Sequence, residues 1–294
     1  MVEFCIVGHV TKDLIKINGR EKRLLGGVAY YTSIALSSLG AAAKVISRFS
    51  ELDGEIRATF EKEGMEITNC KSVSTTEFEN IYPENSDARI QRVAKRADPF
   101  QVSDVTGVKA RVYHFGPLLR GDIPLEVIQH LSGEGRISLD VQGYLRTIEK
   151  GAVKFEWDEG CEVFQYVDIL KANELEALAI SGEKVVEKAA ERISQYGIDE
   201  IIITRGRKGS VIYYRNELHV IPSFPAEEVV DITGAGDTYM AGYLCKRLNF
   251  TDIREAGEFA AAMASLKVAH YGPFKGNEQD VYRHISCRKS KMEE

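Results

Sequence analysis

Short apolar runs alternate along this chain with longer stretches in which apolar side chains recur every three or four positions. The runs at 2–7, 44–49, 111–116, 136–140, 167–172 and 200–204 read as core strands. Helical spacing follows at 28–39, 54–64, 123–131, 183–196, 235–248 and 252–270. Strand alternating with helix at this interval predicts right-handed βαβ units and a mostly parallel sheet, hence an α/β chain. Residues 9–13 then form the loop after the first strand, at the strand end where open α/β sheets place ligands.

Two stretches have another texture. Between 66 and 95 short β-prone pieces alternate polar with apolar residues, are split at 83–87, and suit a sheet wet on one face. Residues 15–20 alternate and turn through Asn18-Gly19, a hairpin signal. Together, at about 13–24 and 66–95, they predict a small β-sheet lid inserted in a single 1–294 domain; surface hairpins packed on the main domain are the alternative. Of the lid side chains, Ile81, Arg89 and Gln91 are candidates to reach a ligand. The tail at 288–294 is charged and reads as frayed.

Composition narrows the function classes. With 294 residues, 44% hydrophobic and 28% charged, the chain carries a sizeable core. Its net charge of −6 argues against nucleic acid as a partner. The five cysteines are scattered and form no C-x-x-C pair, which favours reduced thiols over a disulfide frame or zinc site. No stretch approaches a membrane span, so a cytoplasmic protein is expected.

The densest chemical signal is Asp231-Ile232-Thr233-Gly234-Ala235-Gly236-Asp237. A β-leaning approach at 228–230 meets two glycines and then a helix opening at about Ala235. The glycines admit a ligand close to the backbone, and the first-turn N–H groups, at the positive end of the helix dipole, suit an anion. An ordinary helix start with Asp237 as a stabilising charge is the plain alternative.

The order of those residues resembles the signature of the ribokinase-like (PfkB) carbohydrate kinases. The resemblance implies a three-layer, doubly wound fold with Asp237 as the base that deprotonates a substrate hydroxyl. It makes the N–H groups of Gly234, Ala235, Gly236 and Asp237 an anion hole for the transferred phosphoryl. Asp231 is implied to shape the turn or a monovalent-cation site, as in some members. Asn173 and Glu176, which also form a capping box, match an N-x-x-E near magnesium and the nucleotide phosphates, acting through water. Thr204-Arg205-Gly206-Arg207-Lys208-Gly209 matches a T-x-G-x-x-G nucleotide loop, with Thr204, Gly206 and Gly209 near the ligand and Arg205 supplying charge. Asp13, Gly26, Gly27 and Asp140 match substrate-side positions. Tyr31 stands where many sugar kinases have a substrate-binding Asn, which implies a differently shaped acceptor pocket. Asp140-Val141-Gln142 resembles the D-x-N segment with Gln for Asn, closer to the inositol-type variant. The small-residue helix after 252 and the loop at 270–273 are implied to wall an adenine pocket.

No P-loop, H-E-x-x-H, G-x-S-x-G or G-x-G-x-x-G stands in usable context. The expected activity is therefore transfer of the ATP γ-phosphate, with Mg2+, to an alcohol of a sugar, sugar acid or cyclic polyol such as myo-inositol. A nucleoside kinase of the same fold and a non-catalytic sugar- or nucleotide-binding regulator are the alternatives. The partner is a small molecule, with neither membrane nor nucleic acid, and the lid's sheet edge invites a homodimer.

Overall fold

The computed structural model describes residues 1–17, 20–82, 90–158, 162–226 and 228–293. Its elements begin with β1 (Val2–Val7), β2 (Thr11–Ile17), β3 (Arg20–Gly26), α1 (Val28–Ser38), β4 (Ala43–Ser47), α2 (Gly54–Lys62), β5 (Ile67–Asn69), β6 (Thr76–Tyr82) and β7 (Ile90–Lys95). There follow α3 (Val102–Val105), β8 (Ala110–Phe115), α4 (Leu125–Leu131), β9 (Arg136–Asp140), β10 (Arg146–Glu149), β11 (Ala152–Phe155), β12 (Ile169–Asn173), α5 (Glu174–Ser181) and α6 (Val186–Ser194). The chain continues through β13 (Glu200–Thr204), β14 (Ser210–Tyr214), β15 (Glu217–Ile221), α7 (Ala235–Leu248), α8 (Ile253–Val268) and α9 (Glu278–Glu293).

The main sheet runs β15-β14-β13-β12-β9-β8-β1-β4-β5. Pairings from β13 to β5 are parallel, and β14 and β15 add on antiparallel. Because a strand alternates faces, Phe4 and Ile6 enter a core shared with α1, α2, α7, α8 and α9, while Cys5 and Val7 enter one shared with α3, α4, α5 and α6. Both faces are thus covered by helices, which is why these strands read as unbroken apolar runs. The three-layer, doubly wound expectation holds.

The lid is a second sheet in the order β10-β11-β7-β6-β2-β3. Within it β2 and β6 pair parallel, and the remaining pairings are antiparallel. Its inner side gives Phe78, backed by Val93 and Val153, to a small cluster with Val28, Leu118 and Leu119 of the body. That contact sets the lid over the end of the main sheet where β1 and β8 finish.

Several expectations need correction. Residues 9–13 are only briefly a loop, because β2 starts at Thr11 and places Asp13 within the lid. The piece at 67–69 is not lid but β5, the outer strand of the main sheet, parallel to β4. The lid instead gains the hairpin β10–β11, which turns through Lys150 and Gly151, both at positive φ (49° and 80°). Residues 228–230 form no strand: the amides of Val230 and Asp231 donate to the Val268 carbonyl at 2.8 and 3.1 Å, tying them to the end of α8. The tail is helical, since α9 runs to Glu293. The Asn18-Gly19 turn, the 83–87 break, Arg89 and Cys161 lie outside the described residues, although the flanking β2–β3 register is that of the expected hairpin. Cys5, Cys70, Cys245 and Cys287 are free thiols. Among the described residues no helix is long and apolar enough to cross a membrane.

Candidate active site

Gly234 makes the turn into α7. It sits at φ 75°, ψ 7°, and a Cβ there would lie 2.2 Å from Cδ1 of Tyr31. Both facts demand glycine, since an L side chain is disfavoured in this region and the Tyr31 ring already fills the space. Tyr31 is therefore a brace beneath the turn as well as part of the cavity wall, and only 2% of it is exposed.

The turn leaves some amides free and occupies others. Ala235 N–H donates to the Ile232 carbonyl at 3.2 Å and Thr238 N–H to the Gly234 carbonyl at 2.9 Å. Ala235, expected in the anion hole, is thus already engaged, and the amides of Gly234, Gly236 and Asp237 are those left for an anion.

Asp237 lies in the first turn of α7, on the wall of a cavity of about 1210 Å3. Burial, reinforced by the Asp140 carboxylate, pushes its carboxyl up to about 6, against the pull of Lys171, Arg146 and Lys267. A carboxylate in that range can accept a proton near neutral pH.

Lys171 was not anticipated from the sequence. It projects from the apolar strand β12, only 7% exposed, with Nζ 2.7 Å from Oδ2 of Asp140. A Cβ on Gly236 would lie 3.1 Å from Nζ, so the ammonium stands against the first turn of α7. Burial opposes its charge, yet Asp140, Glu176 and Asp237 hold it above the usual lysine range. Asp140, expected to bind substrate, is fully buried, is not part of the cavity wall, and also caps the turn after β9 by accepting from Gln142 N–H at 3.1 Å. Gln142 and Arg146 line the cavity beyond it.

Under the lid the cavity is lined by Thr11, Asp13, Gly27, Val28, Tyr31, Phe78, Gln91, Leu118, Gln142 and Arg146. Asp13 accepts from the Thr11 hydroxyl at 2.7 Å. Gly26 is not in the wall, but a Cβ there would sit 2.9 Å from Oδ2 of Asp13, so its smallness makes room for that carboxylate. Ile81 does not line the cavity, whereas Phe78 and Arg146 do.

The other end is lined by Asn173, Glu176, Thr204, Gly206, Arg207 and Gly209, then by Phe224, Pro225, Ala226, Val229, Ala261, Ala264, Ser265 and Val268. Asn173 and Glu176 form the reciprocal cap: Asn173 N–H donates to Oε2 of Glu176 at 2.8 Å, and Glu176 N–H donates to Oδ1 of Asn173 at 2.9 Å. Burial raises the Glu176 carboxyl against the pull of Lys171. Arg205 is not in the wall; its Nε lies 3.8 Å from Glu174, and the tight turn at 206–208 presents Arg207 instead. The small residues of α8 face the cavity as expected, but residues 270–273 do not.

The turn does not fit a free monovalent cation at Asp231. Nζ of Lys267 occupies that side, 2.8 Å from the Asp231 carbonyl and 3.4 Å from Oδ2, and Lys267 is fully buried.

A family model for pfkB carbohydrate kinases matches residues 152–280. That stretch of the chain resembles this family. Among curated relatives, a cytidine kinase of Thermococcus kodakarensis is 29% identical over 83% of this chain and 88% of its own length. An inositol 3-kinase of Arabidopsis thaliana is 26% identical over 91% of this chain and 74% of its own. Among solved structures, a pyrophosphate-dependent kinase of the ribokinase family, complexed with a pyrophosphate analogue and myo-inositol, superposes with a TM-score of 0.86 at 26% identity, covering 95% of this chain and 99% of that one. The chain is accordingly a kinase with the ribokinase fold.

Proposed function

We propose that this kinase transfers the terminal phosphoryl of ATP to a hydroxyl of a small cyclic polyol or sugar, with Asp237 as general base. The observation that carries the reading is the Asp237 carboxylate, held beside the free amides of its turn and the Lys171 ammonium on the wall of one cavity. The acceptor lies under the lid, where Asp13, Gln91, Gln142 and Arg146 offer hydrogen bonds to a polyhydroxylated ring and Phe78 and Leu118 cover its apolar edge. Asp237 removes the hydroxyl proton as the oxygen attacks phosphorus in line. The amides of Gly236 and Asp237, with Lys171, stabilise charge on the transferring group.

The donor lies along Thr204–Gly209, with its base against the apolar wall of Phe224, Ala261, Ala264 and Val268. Magnesium, when bound, would neutralise charge on the donor phosphates there. Among the described residues no three or more acidic, His or Cys side chains converge as a metal cage. Glu176 and Asn173 would hold a hydrated ion through water, which suits that sparse donor set. Free thiols support a cytoplasmic setting, and the outer strands β3 and β10 offer edges for a homodimer.

Pyrophosphate is the second donor reading, supported by the pyrophosphate-dependent structural relative and by the basic wall at Lys171 and Arg207. Cytidine is the second acceptor reading, supported by the likeness to a cytidine kinase. Phosphoryl transfer from ATP and from pyrophosphate should be measured against myo-inositol, ribose, sugar acids and cytidine. Turnover with ATP and a cyclic polyol is expected. Asp237→Asn should cut kcat by about 10²-fold or more while donor binding persists; a variant with near-normal kcat would remove Asp237 as base.

A further inference from the structure

Lys267 is the next-to-last residue of α8 and its side chain is fully buried, although lysine rarely is. Its Nζ lies 2.8 Å from the Asp231 carbonyl oxygen and 3.4 Å from the Asp231 carboxylate, with the Tyr31 ring centroid 5.6 Å away. Asp231 in turn accepts the Thr233 N–H at 2.9 Å, and Tyr31 braces Gly234 from below. The ammonium therefore touches both supports of the anion-binding turn without entering the cavity wall itself.

Backbone carbonyl and carboxylate oxygens that replace a hydration shell are the ligands a bare monovalent cation takes. Here a lysine supplies the positive charge to those same atoms, with its donors aimed by a rigid helix. Its burial is costly unless paired, and Asp231 provides the pairing. Burial lowers the Lys267 ammonium below the usual lysine range, against the pull of Asp231 and Asp237.

We propose that Lys267 is a built-in replacement for a monovalent cation, a positioning residue that holds the 231–234 turn so that the kinase works without potassium or sodium. The proposal rests on the kinase reading of the same turn, and one arm of its test stands without that reading. In buffers of constant ionic strength, tetramethylammonium chloride, too bulky for the site, is exchanged stepwise for potassium or ammonium chloride. Wild-type turnover should stay flat across the exchange. Lys267→Ala should lose ~10- to 100-fold in kcat, as expected for a lost hydrogen-bonded charge, and recover saturably with potassium or ammonium. Lys267→Met, whose side chain fills the space, should not recover.

The second arm is thermal unfolding of the same proteins, which needs no acceptor. Potassium should raise the Tm of Lys267→Ala and leave wild type unmoved, because a ligand that binds only the folded state stabilises it. Saturable activation or stabilisation of wild type by potassium would overturn the proposal, and that measurement does not depend on any variant folding. A folded Lys267→Ala protein that responds to no cation in either arm would also overturn it, reducing Lys267 to a packing role. Wild type inactive on every acceptor, with the predicted Tm pattern intact, would count against the kinase reading alone.

Discussion

At the scale of single residues, the site depends on where charge is allowed to remain buried. The Asp237 carboxyl is pushed up to about 6 by burial and by Asp140, and Lys171, Arg146 and Lys267 pull it back. A base works only when ionised, so kcat/KM should fall by about tenfold per pH unit once the pH drops below about 6. Lys171→Met removes the first of the opposing charges, so the acid limb should move to higher pH as overall activity falls. Profiles of kcat/KM for wild type and Lys171→Met check this; a limb that keeps its midpoint in the variant would assign the titration to another group. Lysine in the middle of an apolar strand gives no sign of its partners. Lys171 escapes a reading of the sequence because Asp140 and Gly236, which define its role, come from 31 positions earlier and from another element. The reverse holds for Asp140, which looks like a cavity residue at the end of its strand but is consumed by Lys171.

At the scale of elements, α7 and the turn before it are the most legible part of the chain. The run from Asp231 to Asp237 encodes its own geometry locally: a left-handed glycine, then a helix start with an acid in the first turn. Substituting Gly234→Ala should therefore cost about 1–3 kcal/mol from the left-handed backbone alone, and more from the clash with Tyr31. Pairing it with Tyr31→Leu should restore part of the clash component, giving a non-additive cycle. Urea unfolding of the single and double variants measures both, and strict additivity would show that Tyr31 does not brace the turn. The lid strands are less legible for the opposite reason. Their partners are non-local: β2 pairs with β6 across 65 positions and β7 with β11 across 60. Alternation marks such pieces as β but leaves open which sheet receives them. The result is that 67–69 join the main sheet, while β10 and β11 arrive in the lid from beyond β9.

At the scale of the whole molecule, the proposed function depends on two sheets meeting over one cavity. The main sheet and its helices supply the Gly234 turn, Lys171 and the wall proposed for the donor, and the lid supplies Asp13, Phe78, Gln91 and Arg146. Phe78 joins these halves, being 3% exposed and packed with Val28, Leu118 and Leu119 of the body. Phe78→Ala removes that contact without touching Asp237 or the donor wall. Losing a buried phenyl group is worth about 1.5–3 kcal/mol of apolar contact, so the acceptor KM should rise by about tenfold or more while donor affinity stays near its wild-type value. Water should also gain entry to the transferring phosphoryl, because closing such a site is what excludes it. Donor hydrolysis without acceptor, divided by transfer with acceptor, should therefore rise in the variant. If acceptor KM and donor KM rise together and the hydrolysis ratio stays constant, the lid is a structural cover only, and acceptor recognition belongs to the body of the molecule.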